Sequence, residues 1–316
     1  MSNGHVINLL TRYEGNPILT PWQWPYSANT VFNAGATFLE DGDTLLLVRV
    51  EDRRGISHLT AVRSHDGMTD WRIDPTPTMM PNESPGSDEL YGIEDPRIVY
   101  LPEKERYSVL YTAFSESGPH VKLALTKDFV DFDRIGSVLP PEDKDASLFP
   151  RRLGGMWYMI HRPVSASAGS ADMWISCSPD LVHWGRHEVM LPARRGAWWD
   201  ANKIGLSPPP IETSEGWLIL YHGVRYTPAG CIYRLGVALF DLEDPCKLIS
   251  RGNEWIFGPE QDYEQVGDVS GVVFPCGSTL CEDGDTLRIY YGAADSSVAL
   301  ATGSIREILD WLKRQV

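Results

Sequence analysis

Five segments of this 316-residue chain read as one repeated strand: 45–50 (LLLVRV), 108–113 (SVLYTA), 158–163 (YMIHRP), 219–224 (ILYHGV) and 288–293 (RIYYGA). Arg49, Thr112, Arg162, His222 and Gly292 stand near their ends and recur at intervals of roughly 60 residues. A polar-then-apolar segment precedes each, at 32–38, 94–99, 144–149, 201–205 and 268–273. A third strand follows four of them, ending in loops such as Ser64-His65-Asp66-Gly67, Thr126-Lys127-Asp128-Phe129 and Ser178-Pro179-Asp180-Leu181. Short strands in threes or fours, repeated five times, bury their apolar faces by stacking around an axis. The expected fold is all-β, a five-bladed β-propeller occupying residues 1–316 as a single domain.

Composition agrees where it bears on this. The 28 Gly and 23 Pro suit many turns, and the length fills one propeller with no linker. One segment reads as a helix, at about 304–314: Ile305, Ile308, Leu309 and Leu312 recur at helical spacing behind Ser304, an N-cap residue. It is expected to dock on the outside of the last blade.

A formal net charge of −15 disfavours nucleic acid or an anionic membrane as partner, since both repel it at long range. Any anion must be held by a local basic cluster. No apolar run is long enough for a membrane helix and no leader pattern is evident, which with five unpaired cysteines predicts a cytoplasmic protein with free, mostly buried thiols. His58, His65, His120 and His161 lack metal-ligand spacing, so neither a metal nor another cofactor is expected. The helix and aromatic loops permit a homo-oligomer.

In a propeller the first strand of each blade lines the axis, and its leading residues ring the funnel where ligands bind. That ring contains Asn33, Asp95, Lys144 with Asp145, Asn202 with Lys203, and Asp268. For Asn33, Asp145 and Asp268, a solvated rim of turn-formers competes with a functional reading. Asp95 lies in Gly92-Ile93-Glu94-Asp95-Pro96-Arg97, where Pro96 stiffens the backbone. Asp-Pro is also an ordinary turn initiator, so spacing alone leaves both readings of Asp95 open.

Glycoside hydrolysis normally uses two carboxylates. Five-bladed glycosidases of the arabinanase kind place an Asp base on the first blade, where this chain has Asn33, which cannot act as a base. Meanwhile Arg49, Lys144, Arg162, Lys203 and His222 are all candidates for the same funnel, a costly concentration of like charge unless an anion joins them. Inorganic phosphate fits, because it is already nucleophilic and suits Arg and Lys donors. One acid beside an anion clamp points to phosphorolysis.

The chain resembles glycoside hydrolase family 130, five-bladed enzymes that are mostly phosphorylases of β-mannosides. The resemblance runs from Asn16-Pro17-Ile18-Leu19 through Phe32-Asn33-Ala34-Gly35, Glu94-Asp95-Pro96-Arg97, Leu148-Phe149-Pro150-Arg151, His161-Arg162-Pro163, Lys203-Ile204-Gly205 and Tyr221-His222-Gly223-Val224 to Tyr290-Tyr291-Gly292-Ala293-Ala294-Asp295. It implies inverting phosphorolysis that releases α-D-mannose 1-phosphate, with inorganic phosphate as co-substrate and a β-mannoside oligosaccharide as partner. Asp95 would be the single catalytic acid, its proton reaching the glycosidic oxygen through the mannosyl 3-hydroxyl. Arg162, Lys203, His222 and the position held here by Lys144 would bind phosphate. β-1,4-acting members have Arg at that last position, and Lys keeps the charge but loses the fork. Arg49 or Arg53 would contact sugar or phosphate, Asn33 and Asp295 mannose hydroxyls, and Tyr91 and the pair Trp198-Trp199 pyranose faces. For Arg53 a solvated loop, for Asp295 a turn cap and for either Trp a core role are competing readings. A β-mannoside hydrolase and a noncatalytic carbohydrate-binding propeller are the alternatives. The Ile-Glu-Asp-Pro-Arg box departs from the Tyr-Asp-Pro-Arg of the β-1,4 branches and leans toward β-1,2 linkages or another branch, with β-1,2 and β-1,4 both left open.

Overall fold

A computed structural model describes residues 9–164, 171–228 and 230–315. After β1 (Leu10–Arg12), the first blade is β2 (Thr30–Phe38), β3 (Thr44–Glu51), β4 (Ser57–Ser64) and β5 (Arg72–Ile73); the second is β6 (Ile93–Leu101), β7 (Arg106–Ser115), β8 (Gly118–Thr126) and β9 (Phe132–Ser137). The third is β10 (Asp143–Leu148), β11 (Trp157–Pro163), β12 (Met173–Ser178) and β13 (Gly185–Leu191). The fourth holds β14 (Lys203–Leu206), β15 (Ile211–Thr213), β16 (Gly216–Thr227), β17 (Gly230–Phe240) and β18 (Leu248–Arg251). After the short helix α1 (Asp262–Gln265), which the sequence pattern does not announce, come β19 (Val273–Leu280), β20 (Thr286–Ala293), β21 (Ser297–Ser304) and helix α2 (Ile305–Lys313).

Every sheet is an antiparallel meander, and the last has the order β1-β21-β20-β19. The strand nearest the N-terminus therefore completes the last blade and closes the ring, with Leu10 opposite Gly303 and Arg12 opposite Ala301. The apolar core lies between neighbouring blades: Leu45, Leu47 and Ala61 of the first pack with Ile98, Val109 and Tyr111 of the second. The loops punctuated by acids are one turn repeated, because Asp66, Asp128 and Asp180 each accept backbone N–H groups two and three residues on. Ser304 caps α2 by accepting from Glu307 N at 3.1 Å. Ile308, Leu309 and Leu312 bury its apolar face with β17 and the outer strands of the last blade. Of the five free thiols only Cys177 and Cys276 are buried, so the expectation of mostly buried cysteines is corrected: Cys231 lies in the exposed β16–β17 hairpin.

Candidate active site

A bulge recurs at the head of the first strand in three consecutive blades. The ladders skip between Phe32 and Gly35, Glu94 and Arg97, and Lys144 and Ser147. Within these gaps Asn33, Asp95 and Asp145 take left-handed backbone angles, φ 46°, 51° and 54°. Asn and Asp tolerate this region better than other non-glycine residues, and a bulge re-aims the side chain it carries. All three side chains are buried. The repeat seen in sequence maps onto the register: Arg49, Thr112 and Arg162 stand opposite Phe32, Glu94 and Lys144, His222 opposite Gly205, and Gly292 opposite Phe274.

Two of the small partners make room for polar atoms. A Cβ on Gly292 would collide with Asn33 Oδ1, and one on Gly205 with Asp145 Oδ2 and the His222 ring. Asn33 is thereby free to donate from Nδ2 to Asp95 Oδ1 at 2.9 Å.

The bulges surround a cavity of about 150 Å³ lined by Asn33, Arg49, Asp95, Lys144, Arg162, Lys203, His222 and Asp295 among others. Asp95 is its central acid, held by Asn33 and by Arg49 Nη1 at 3.1 Å. Burial pushes its carboxyl up, but Arg49, Lys144 and the Asn33 amide outweigh burial and hold it below the ordinary aspartate range. Asp295, at φ 48° in the turn between β20 and β21, takes the opposite shift. Burial and then the charge of Asp95 raise it to about 7.

The basic wall is unevenly neutralised. Asp145 receives Arg162 through Nε and Nη2, both at 2.7 Å. Burial pushes its carboxyl up, but Arg162 and then Arg97 hold it well below the ordinary range. Lys203 stacks its Nζ 5.3 Å from the Tyr233 ring centroid, and burial, followed by Arg162, lowers its pKa. Among the described residues neither Lys144 nor Lys203 has a carboxylate within ion-pair distance. The His222 ring packs 4.6 Å from Phe274. Its Nε2 lies 3.4 Å from Asp145 Oδ2 but makes no hydrogen bond, and burial brings its pKa to about 4, so the ring is neutral near pH 7. Arg97 spans the interior below, donating to Leu206 O and Ser207 O, both at 2.7 Å. Among the described residues no three His, Cys, Asp or Glu side chains are arranged to hold a metal ion.

Eight of the twelve residues to which the resemblance gives a site role line one cavity. Arg53 and Tyr91 do not: Arg53 is exposed in the 52–55 turn, and Tyr91 projects outward just before β6. Asp268 is likewise outside, exposed and accepting from Asn29. Sequence reasoning left Asp145 undecided and missed Tyr233, Val272 and Phe274, which close the wall. The available signal was an Asn or Asp at one strand position in three successive blades. Trp199 is a core residue, stacked 5.6 Å from Tyr221 with Nε1 donating to Asn253 O, whereas Trp198 is exposed.

A family model described as beta-1,4-mannooligosaccharide phosphorylase matches residues 5–314. The chain belongs to glycoside hydrolase family 130. A beta-1,4-mannooligosaccharide phosphorylase of Ruminococcus albus is 35% identical over 97% of this chain and 91% of its own. The solved beta-1,2-mannobiose phosphorylase of Listeria innocua, in complex with beta-1,2-mannobiose, superposes with a TM-score of 0.86 at 32% identity, covering 96% of this chain and 99% of that one. A further family 130 structure, from work on glycoside hydrolases that target beta-1,2 mannosidic linkages in Candida mannan, superposes at 0.82 with 25% identity, covering 97% and 96%. Family 130 thus spans the transfer of a glycosyl group to phosphate and to water.

Proposed function

We infer that this chain is an inverting β-mannoside phosphorylase. Phosphate attacks the anomeric carbon of the terminal mannosyl unit, the C1–O bond breaks, and the leaving sugar oxygen takes a proton. The products are α-D-mannose 1-phosphate and a shortened acceptor. The observation that carries this reading is the pair of lysines, Lys144 and Lys203, without carboxylate partners beside Arg162. Lys144 stands directly across the ladder from Arg162, and the one carboxylate paired with Arg162, Asp145, leaves the two cations with an excess of positive charge.

In this reading Lys144, Arg162 and Lys203 hold the phosphate oxygens, with His222 as a neutral hydrogen-bonding partner. Asp95 supplies the proton through the mannosyl 3-hydroxyl, while Arg49, Asn33 and Asp295 fix the sugar. Asp95 starts as a carboxylate, so it must gain a proton before it can give one. Phosphate supplies the reason, since its charge offsets the cations that hold Asp95 down.

Hydrolysis is the second reading, and Asp295 favours it by placing another carboxyl in the cavity. The linkage, β-1,2 or β-1,4, is open to the same experiment. The enzyme is given α-mannose 1-phosphate and a panel of acceptors, released phosphate is measured and the new linkage identified. Sugar release from β-mannobiose at full rate in phosphate-free buffer would exclude phosphorolysis.

A further inference from the structure

The hairpin of β16 and β17 is a wall with two faces. Val224 pairs with Tyr233, flanked by Gly223 with Arg234 and Arg225 with Ile232. Directly opposed residues share a face and successive pairs alternate. Tyr233 accordingly lines the catalytic cavity, while Arg225, Ile232 and Arg234 line a second cavity of about 290 Å³ behind it. Ala197, Trp198, Trp199, Glu254 and Trp255 complete its lining.

This second cavity is built from flat apolar rings edged with hydrogen-bonding groups. Trp198 and Trp255 remain 42% and 41% exposed. Each is held by a guanidinium, Arg194 lying 4.4 Å from the Trp198 ring and Arg234 5.4 Å from the Trp255 ring. Arg194 is itself anchored on Gly252 O at 2.7 Å and Asn253 O at 3.2 Å, and Arg225 on Ala197 O at 2.6 Å. The surface is therefore set before any ligand arrives. Among the described residues Arg225, Arg234 and Glu254 form no ion pair, which leaves donors and an acceptor for neutral hydroxyls.

We propose that this cavity is a second carbohydrate site, taking the distal part of a β-mannoside chain whose scissile end lies in the catalytic cavity. It rests on the reading of the activity as β-mannoside phosphorolysis. A pyranose offers an apolar C–H face to an indole and equatorial hydroxyls to Arg and Glu. The hairpin continues past the Val224–Tyr233 pair through Thr227 opposite Gly230, about 10 Å of strand. Only a chain longer than a disaccharide passes over that rim, so the site selects by length.

The test compares wild type with Trp255→Ala and Arg225→Ala on β-mannobiose and a β-mannohexaose of the accepted linkage. Loss of one stacking contact raises KM for the hexaose about three- to tenfold and leaves both constants for the disaccharide within about twofold. Calorimetric affinity of the hexaose for the Asp95→Asn enzyme falls by the same factor when Trp255→Ala is added. Equal effects on both substrates, or none on either, overturn the proposal, as does a change in sedimentation coefficient, which would make the patch a subunit interface. If Trp255→Ala does not fold, Arg225→Ala decides. If wild type phosphorolyses no β-mannoside, the activity reading fails, and hexaose binding to the Asp95→Asn background still decides the cavity.

Discussion

Arg49 grips Asp95 and Glu94 with separate nitrogens, Nη1 at 3.1 Å from Asp95 Oδ1 and Nη2 at 3.2 Å from Glu94 Oε1. The guanidinium crosses from the second strand of blade one to the first strand of blade two, and its face lies 4.5 Å from the Phe32 ring. A buried carboxylate is tolerated there because this fork and the Asn33 amide satisfy it. The same two contacts fix the direction in which the Asp95 carboxyl faces the cavity.

Asp95→Asn removes the proposed proton donor while keeping the shape. Phosphorolysis is expected to fall by about 10²- to 10⁴-fold, the usual contribution of a positioned acid, while phosphate binds no more weakly, because loss of the Asp95 charge removes a repulsion. Because the folded pKa of Asp95 is lowered, its ionic contribution to stability is present above its ordinary value of 3.8 and is lost as pH falls below that. The melting-temperature deficit of Asp95→Asn should therefore be visible at pH 6 and shrink below pH 3.8. A deficit that is constant with pH would contradict the ion pair.

Gly292→Ala should damage catalysis more than folding. The new methyl group would occupy the space of Asn33 Oδ1, turning the amide away from Asp95. We expect kcat to drop about tenfold, the loss of one hydrogen bond to a charged group, with cooperative unfolding preserved. An Asn33→Gly change in the same background relieves the clash and restores the melting temperature without restoring kcat.

The propeller was legible because its repeat is written in apolar strands and Asx turns, both local in sequence. Residues on equivalent strands, Arg49, Arg162 and His222, were legible for the same reason. Asp145 was not, since what distinguishes it from a turn residue is Arg162 on the facing strand and His222 in the next blade. Tyr233 reads as an ordinary strand residue, and only the register of the hairpin turns it toward Lys203. Arg53 and Tyr91 rest on the resemblance alone, and both are exposed and absent from the cavity lining, Arg53 in the 52–55 turn and Tyr91 just before β6.

Lys203→Met should trade function for stability. Burial and Arg162 depress the Lys203 pKa, which means that its charge opposes folding. Removing it should raise the melting temperature in phosphate-free buffer, by an amount equivalent to about 1 kcal/mol or less. KM for phosphate should rise about 10- to 100-fold, in line with the loss of a charge-assisted hydrogen bond. Wild type should gain about 2.7 kcal/mol of stability at phosphate one hundred times its Kd, and at the same concentration the variant should lose about half of that gain if its Kd is tenfold weaker and most of it if a hundredfold weaker. Thermal melts with and without phosphate measure both effects.

Asp295 offers the clearest test of the acidic side of the cavity. Burial, then the charge of Asp95, raises its carboxyl from 3.8 to about 7. Between those values the folded chain binds a proton that the unfolded chain has released, so stability falls as pH rises through this window and levels off above it. Asn at this position cannot titrate. The melting temperature of Asp295→Asn relative to wild type should therefore climb from pH 4 to pH 7 and then stay constant, with a plateau of at most about 4 kcal/mol. Asp95→Asn in the same chain removes a neighbouring charge that keeps Asp295 neutral, so the climb should finish at lower pH in that background. If the climb does not move, the two carboxyls do not share the cavity electrostatically, and burial alone holds Asp295 protonated.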